Sequence, residues 1–144
     1  MNSSSLSGLT RSGSENMMSK TIARGFCAAR PSITQYFYNT DAYFRFVDDC
    51  EAAGIAIPIV PGIMPIGNFA QLARFSDACG AEIPRWLRFK LESYRDDTDS
   101  IRSCGLDVVT RLCDDLLTAG APGLHFYTLN QAGLTTTIWQ RLGL

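Results

Sequence analysis

Three short stretches of this chain carry the side chains best suited to holding a flat ligand with polar edges. The first is Ile33-Thr34-Gln35-Tyr36-Phe37-Tyr38, where Gln35, Tyr36 and Tyr38 stand out. The second runs from Pro61 to Phe69, and the third from Tyr127 to Gln131. Aromatic faces stack on planar rings, and primary amides match donor and acceptor edges. None of the three holds a carboxylate, a serine–histidine pair or a cysteine–histidine pair, the usual carriers of acid–base and nucleophilic catalysis. Binding and orientation are therefore the expected chemistry.

Each of these residues also has a structural reading. An unsatisfied amide at Gln35 inside an apolar strand costs about 1–3 kcal/mol, so Gln35 either reads a ligand or makes a structural hydrogen bond. Phe69, beside a helix start, is a core residue or a stacking platform. His125 is read as a satisfied core histidine. Tyr127 and Asn130 stand where a strand gives way to a loop, where either a ligand contact or a turn role fits. The five cysteines, at 27, 50, 79, 104 and 113, form no C-x-x-C pair. Buried free thiols in a reducing cytoplasm are expected, and with one histidine in the chain no structural metal is.

The elements around these stretches alternate. Ile33 to Tyr38 is rich in β-branched and aromatic residues and reads as a strand. Asn39-Thr40-Asp41 supplies a helix cap; Tyr43, Phe44, Phe46, Val47 and Cys50 follow at helical spacing, and Gly54 ends the helix. Ile55 to Val60 reads as a buried parallel strand, and Pro61 to Gly67 as a loop set off by its proline and glycines. Asn68 caps a helix presenting Phe69, Leu72, Phe75 and Ala78. Ile83-Pro84 opens another that runs through Leu91. A long amphipathic helix turns Ile101, Leu106, Val109, Leu112, Leu116 and Leu117 inward, and Gly120 to Gly123 stops it. Leu124 to Leu129 is the third expected strand, and Leu134 to Leu142 the last helix.

Repeated strand–helix units give an α/β fold, either an open doubly wound sheet or part of a (β/α)8 barrel. The dinucleotide and P-loop fingerprints follow none of the strands, which favours the barrel. In a barrel the C-terminal strand ends face one pocket, and the three stretches fall at those ends.

Length and composition set the outer limits. The chain has 144 residues, of which 46% are hydrophobic and 19% charged, with a net charge of −1. That describes at most one domain with a buried core and no basic surface for nucleic acid. No apolar run approaches the ~20 residues that cross a bilayer, so no membrane partner is expected. Residues 1–31 differ: they are serine-rich, with Arg11, Lys20, Arg24 and Arg30 against a single acid, Glu15. They read as a disordered or unrelated leader. Their charge faintly suits a transit peptide, and a bland leader or a misassigned start is preferred.

The same stretches resemble the methylenetetrahydrofolate reductases. Ile33 to Tyr38, Ile59 to Ile66 and Gly123 to Asn130 look like strands six, seven and eight of that family's barrel, with Phe44-Arg45-Phe46, Ile83-Pro84 and Arg141 to Leu144 also in place. Residues 32–144 are thus identified with the C-terminal part of the barrel, a partial TIM (β/α)8 barrel of three β/α units. The resemblance implies FAD-dependent reduction of 5,10-methylenetetrahydrofolate to 5-methyltetrahydrofolate, with NADH or NADPH as reductant, in the cytoplasm. It implies that Gln35 bonds the pterin edge, that Phe69 stacks on folate or nicotinamide, and that Tyr127 and Leu129 line the flavin face. Gln131 stands where many members have arginine, and glutamine offers no guanidinium fork.

The family's acidic catalytic residue and its flavin-phosphate contacts belong to earlier strands, with no counterpart before Ile33. No catalytic residue is therefore assigned to this chain. It is expected to hold only the folate and nicotinamide side of the site, as the product of a frameshift, truncation or fragmentary gene model. The alternative is a non-catalytic remnant, or an assembly partner that needs a second copy or a complementary half-barrel.

Overall fold

The computed structural model describes residues 31–129 and 132–144. Its order is β1 (Ser32–Tyr36), α1 (Thr40–Ala52), β2 (Ile59–Ile63), α2 (Phe69–Cys79), α3 (Arg85–Ser93), α4 (Thr98–Thr118), β3 (His125–Phe126) and α5 (Ala132–Arg141). The three strands form one parallel sheet in the order β1-β2-β3. This small all-parallel sheet with helical crossovers agrees with the expected portion of a β/α barrel.

Local chemistry sets the helix starts. The Asn39 side chain accepts from the Asp41 N–H at 3.1 Å, and Asn68 accepts from the Gln71 N–H at 2.9 Å. Asp97 accepts from both the N–H and the hydroxyl of Ser100, at 3.1 and 2.6 Å. Each removes an orphan donor from a first helical turn.

Two strands differ from expectation. The second was placed at Ile55 to Val60, with Pro61 and beyond in a loop; in fact Pro61, Gly62 and Ile63 are strand residues. Pro61 has no N–H for the ladder, and the β1–β2 register slips beside it: Ile33 pairs with Val60, but Tyr36 with Gly62. The Thr34 hydroxyl fills the gap, accepting from the Gly62 N–H at 2.9 Å and donating to the Gln35 carbonyl at 2.9 Å. The third strand, expected over Leu124 to Leu129, is only His125–Phe126, since the chain turns at Leu129 with φ +46°.

The core sits between the sheet and the helices, with Tyr43 and Cys50 of α1 contributing to it. Ile63, Leu87, Leu91, Val109, Leu116 and Ile138 are fully buried in it. The inner stripe of α4 differs in part from the one expected. Leu106 and Leu117 are half-buried, while Cys104, Gly105 and Cys113 take interior places. Gly105 is required there, because a Cβ would lie 2.5 Å from the Ile66 carbonyl oxygen and 2.7 Å from the Ile66 Cβ. On α2, Phe75 and Ala78 are exposed and Ser76 is buried instead.

Candidate functional site

The C-terminal ends of β2 and β3 open into a shallow groove, walled by Met64, Pro65, Asn68, Gln71 and Phe75 on one side and Tyr127 to Leu129 on the other. Its position follows from the parallel sheet, which delivers the ends of both strands to the same edge.

Tyr127 organises the groove. Its N–H extends the ladder to the Ile63 carbonyl at 2.8 Å, and its side chain then crosses β2 so that the hydroxyl donates to the Thr34 carbonyl on β1 at 3.0 Å. Gly62 lies beneath this crossing: a Cβ there would meet the Thr34 carbonyl oxygen and come 2.8 Å from Tyr127 Cε2. His125 meets the Tyr127 ring edge-on, with centroids 4.9 Å apart. Burial, with a smaller contribution from Cys79, lifts the Tyr127 hydroxyl above the ordinary tyrosine pKa, so it is protonated at neutral pH.

Tyr36 and Tyr38 were expected to face the pocket, and both are instead used internally. The Tyr36 hydroxyl meets Ser76 Oγ at 3.0 Å and Cys79 Sγ at 3.6 Å. Burial pushes its pKa to about 12; Ser76 pulls it down and Cys79 adds to the rise. The Tyr38 hydroxyl donates to the Met64 carbonyl at 3.1 Å, and burial raises its pKa well above the ordinary value. These contacts tie β1 to α2 and to the loop that walls the groove. Ser76, Thr34 and Gly62 were not singled out from sequence. The one usable signal was Gly62, since a glycine within an apolar strand often marks a close approach.

The candidate residues fall in different places. Tyr127 and Leu129 both line the groove, Leu129 with its side chain exposed. Phe69, the first residue of α2, packs partly against the core, with the Arg88 guanidinium 5.9 Å from its ring centre. Gln35 is half-buried on β1, and its Oε1 accepts from the Tyr36 N–H at 3.1 Å. That bond satisfies a donor beside the register slip and leaves the Gln35 NH2 as its remaining hydrogen-bonding group. Gln131 and Asn130 lie outside the described residues.

The sheet and its crossovers match part of a β/α barrel, with the groove at the end where such barrels place their sites. A family model described as methylenetetrahydrofolate reductase matches residues 15–143, and the chain belongs to that family. The match begins ahead of Ile33, where the motif resemblance starts. The probable methylenetetrahydrofolate reductase (NADH) of Oryza sativa subsp. japonica is 40% identical over 112 residues, covering 78% of this chain and 19% of its own length. The 5,10-methylenetetrahydrofolate reductase of Escherichia coli is 35% identical over 116 residues, covering 81% of this chain and 39% of its own. The chain therefore spans well under half of these relatives. In fold it is similar to an uncharacterized protein from Clostridium thermocellum that binds two copies of 5-methyl-5,6,7,8-tetrahydrofolic acid. That likeness has a TM-score of 0.51 at 23% identity, over 88% of this chain and 45% of the other.

Proposed function

We propose that this chain supplies the folate and nicotinamide side of a methylenetetrahydrofolate reductase site. The observation that carries the reading is the placement of Tyr127, Leu129 and the Gln35 strand at the C-terminal sheet edge, in a chain of that family. The amide of Gln35 donates to an acceptor on the pterin edge. Tyr127 and Leu129 offer an apolar face to a flat ring, and Phe69, next in sequence to the groove residue Asn68, is the further stacking candidate; Gln131, the remaining candidate, lies outside the described residues. The activity of the whole enzyme is reduction of 5,10-methylenetetrahydrofolate, an oxidoreductase step of one-carbon metabolism.

The groove suits one face of a flavin or pterin ring and little more. No arginine or lysine lines it, so a diphosphate has no cationic partner among the described lining residues. When bound, FAD supplies a hydride relay between NADH or NADPH and the folate. The chain's own part is to bind and orient: the Tyr127 hydroxyl is committed to Thr34, and among the described residues no carboxylate lines the groove to move a proton. In a second reading the chain is a non-catalytic half that functions beside complementary strands, from a second copy or another chain. It rests on β1 and β3, which each pair with only one neighbour among the described residues.

Titration calorimetry of the chain with 5-methyltetrahydrofolate tests the first reading. Binding that Gln35→Glu weakens about tenfold, with the fold intact, supports it. Binding indifferent to Gln35, Tyr127 and Leu129 substitutions overturns it. Visible absorbance after incubation with FAD and desalting separately reports whether flavin is retained.

A further inference from the structure

A pocket of about 570 Å3 lies between the start of α1, the helix α3 and the middle of α4. Its volume falls in the range of roughly 300–1,000 Å3 typical of small-molecule sites. It shares no lining residue with the groove. Tyr38 stands between the two: it lines the pocket, while its hydroxyl donates to the Met64 carbonyl of the groove wall.

The lining divides into an apolar floor and a charged rim. Tyr38 and Leu112 are buried and Val108 is half-buried, whereas Trp86, Lys90 and Arg111 are exposed. Trp86 leaves 54% of its surface open, and Lys90 follows one turn later on the same face of α3. The other cations of α3 are engaged elsewhere. The Arg85 guanidinium lies 5.3 Å from the Phe89 ring centre, and Arg88 reaches Glu92 at 3.9 Å.

Neither Lys90 nor Arg111 belongs to an ion pair among the described residues. The acids in the lining are Asp107 and Asp115, one turn before and after Arg111 on α4. Asp107 is taken by Arg141 at 2.7 Å, which leaves Asp115 alone against the two cations. The rim therefore carries a surplus of positive charge beside an open indole. A planar ring gains stacking and apolar contact from Trp86, and a carboxylate gains charge-assisted hydrogen bonds from an ammonium and a guanidinium. A neutral or cationic molecule leaves that surplus unmatched.

We propose that this pocket binds a small aromatic carboxylate, with its ring against Trp86 and its carboxylate met by Lys90 and Arg111. The site is separate from the groove, and the proposal stands whether or not the groove takes a folate.

The test is a titration of the full chain with 2-naphthoate, followed by the indole N–H resonances of Trp86 and Trp139 in nuclear magnetic resonance spectra. A Trp139→Phe chain assigns the two signals. The Trp86 signal is expected to move saturably while that of Trp139 stays in place. Lys90→Gln combined with Arg111→Gln should weaken binding at least about tenfold, and so should replacing the carboxylate of the probe with the neutral hydroxymethyl group. All these side chains are exposed, so the remaining spectrum should be unchanged in the variant. An unmoved Trp86 signal overturns the proposal, as does equal affinity for the charged and neutral probes. Tighter binding of 2-naphthylmethylamine overturns it too, because Asp115 then sets the preference. The comparison of probes uses the wild type alone, so it decides the matter even if the double variant fails to fold.

Discussion

The Tyr127 hydroxyl donates to the main-chain carbonyl of Thr34 at 3.0 Å, so the last strand's exit is fastened to the first strand across the one between them. The crossing is possible because Gly62 leaves room beneath the ring, and the Gly62 N–H is itself held by the Thr34 hydroxyl. The two ends of the candidate site are joined by this contact.

Gly62→Ala is expected to destabilise the chain by at least about 1–3 kcal/mol, the range for forcing extra volume into a packed site. The added methyl meets main chain on β1, which has little freedom to move away. Urea unfolding measures the loss; an unchanged midpoint would show that the strands sit farther apart than described.

Tyr127→Phe removes the hydroxyl and leaves the Thr34 carbonyl without that donor, at an expected cost of about 0.5–1.5 kcal/mol. The ring remains to stack on a ligand. Folate affinity should therefore fall less than in Tyr127→Ala, and calorimetry on both variants separates anchoring from stacking.

Gln35 allows a cleaner separation. Gln35→Glu keeps an oxygen for the Tyr36 N–H but loses the NH2 donor, so the melting temperature should hold while ligand affinity drops. Gln35→Leu loses both, and the unsatisfied N–H adds a stability loss of about 1–3 kcal/mol. Equal melting temperatures for the two variants would refute the role of Gln35 at the register slip.

Leu129 holds a left-handed backbone, φ +46°, that glycine adopts without a steric penalty and other L-residues at a cost of about 1–2 kcal/mol. Leu129→Gly should recover part of that cost, less the entropy glycine loses on folding, while removing an exposed side chain from the groove rim. A small change in stability together with weaker ligand binding is the expected pattern, read by unfolding and calorimetry on the same sample.

Alkaline pH should unfold the chain through Tyr36. Its pKa is raised from 10.0 in the unfolded chain to about 12 in the folded one, so the folded state favours the protonated hydroxyl. That stabilisation is complete below pH 10 and is lost as pH rises from 10 towards 12. Tyr36→Phe should flatten the decline in this window; a slope identical to wild type would locate the alkaline transition elsewhere.

The helix caps were legible in the sequence because they are local. The Asn39-Thr40-Asp41 run and Asn68 were identified as caps, and the structure assigns the first to Asn39 and shows both bonds. The residue pattern misplaced the second strand, since Pro61-Gly62 is ordinary turn punctuation, although the family resemblance over Ile59 to Ile66 covered it. It is a strand because β1 and β3 pair with it on its two sides, with the Thr34 hydroxyl, 28 positions away, taking the Gly62 N–H. The same reason hid the inner face of α2. Apolar spacing selects Phe75, but the buried partner for the Tyr36 hydroxyl has to be polar, and Ser76 fills that place. At the site, residue types indicated the groove edge through Tyr127 and Leu129. That the Tyr36 and Tyr38 hydroxyls are consumed inside the fold was not legible, because their partners lie on other elements.

The fastening of Tyr127 to Thr34 joins positions 93 residues apart. During synthesis, β1 leaves the ribosome long before the residue that anchors it has been made. Closing so long a loop carries an entropic cost, and contacts of high sequence separation slow folding. The α3–α4 helices can form meanwhile from local contacts, but the ligand edge is assembled last. A nascent chain halted before Tyr127 would hold most of its core and none of its clasp, and that interval is when its strand edges are most open to capture by a chaperone or by other strands.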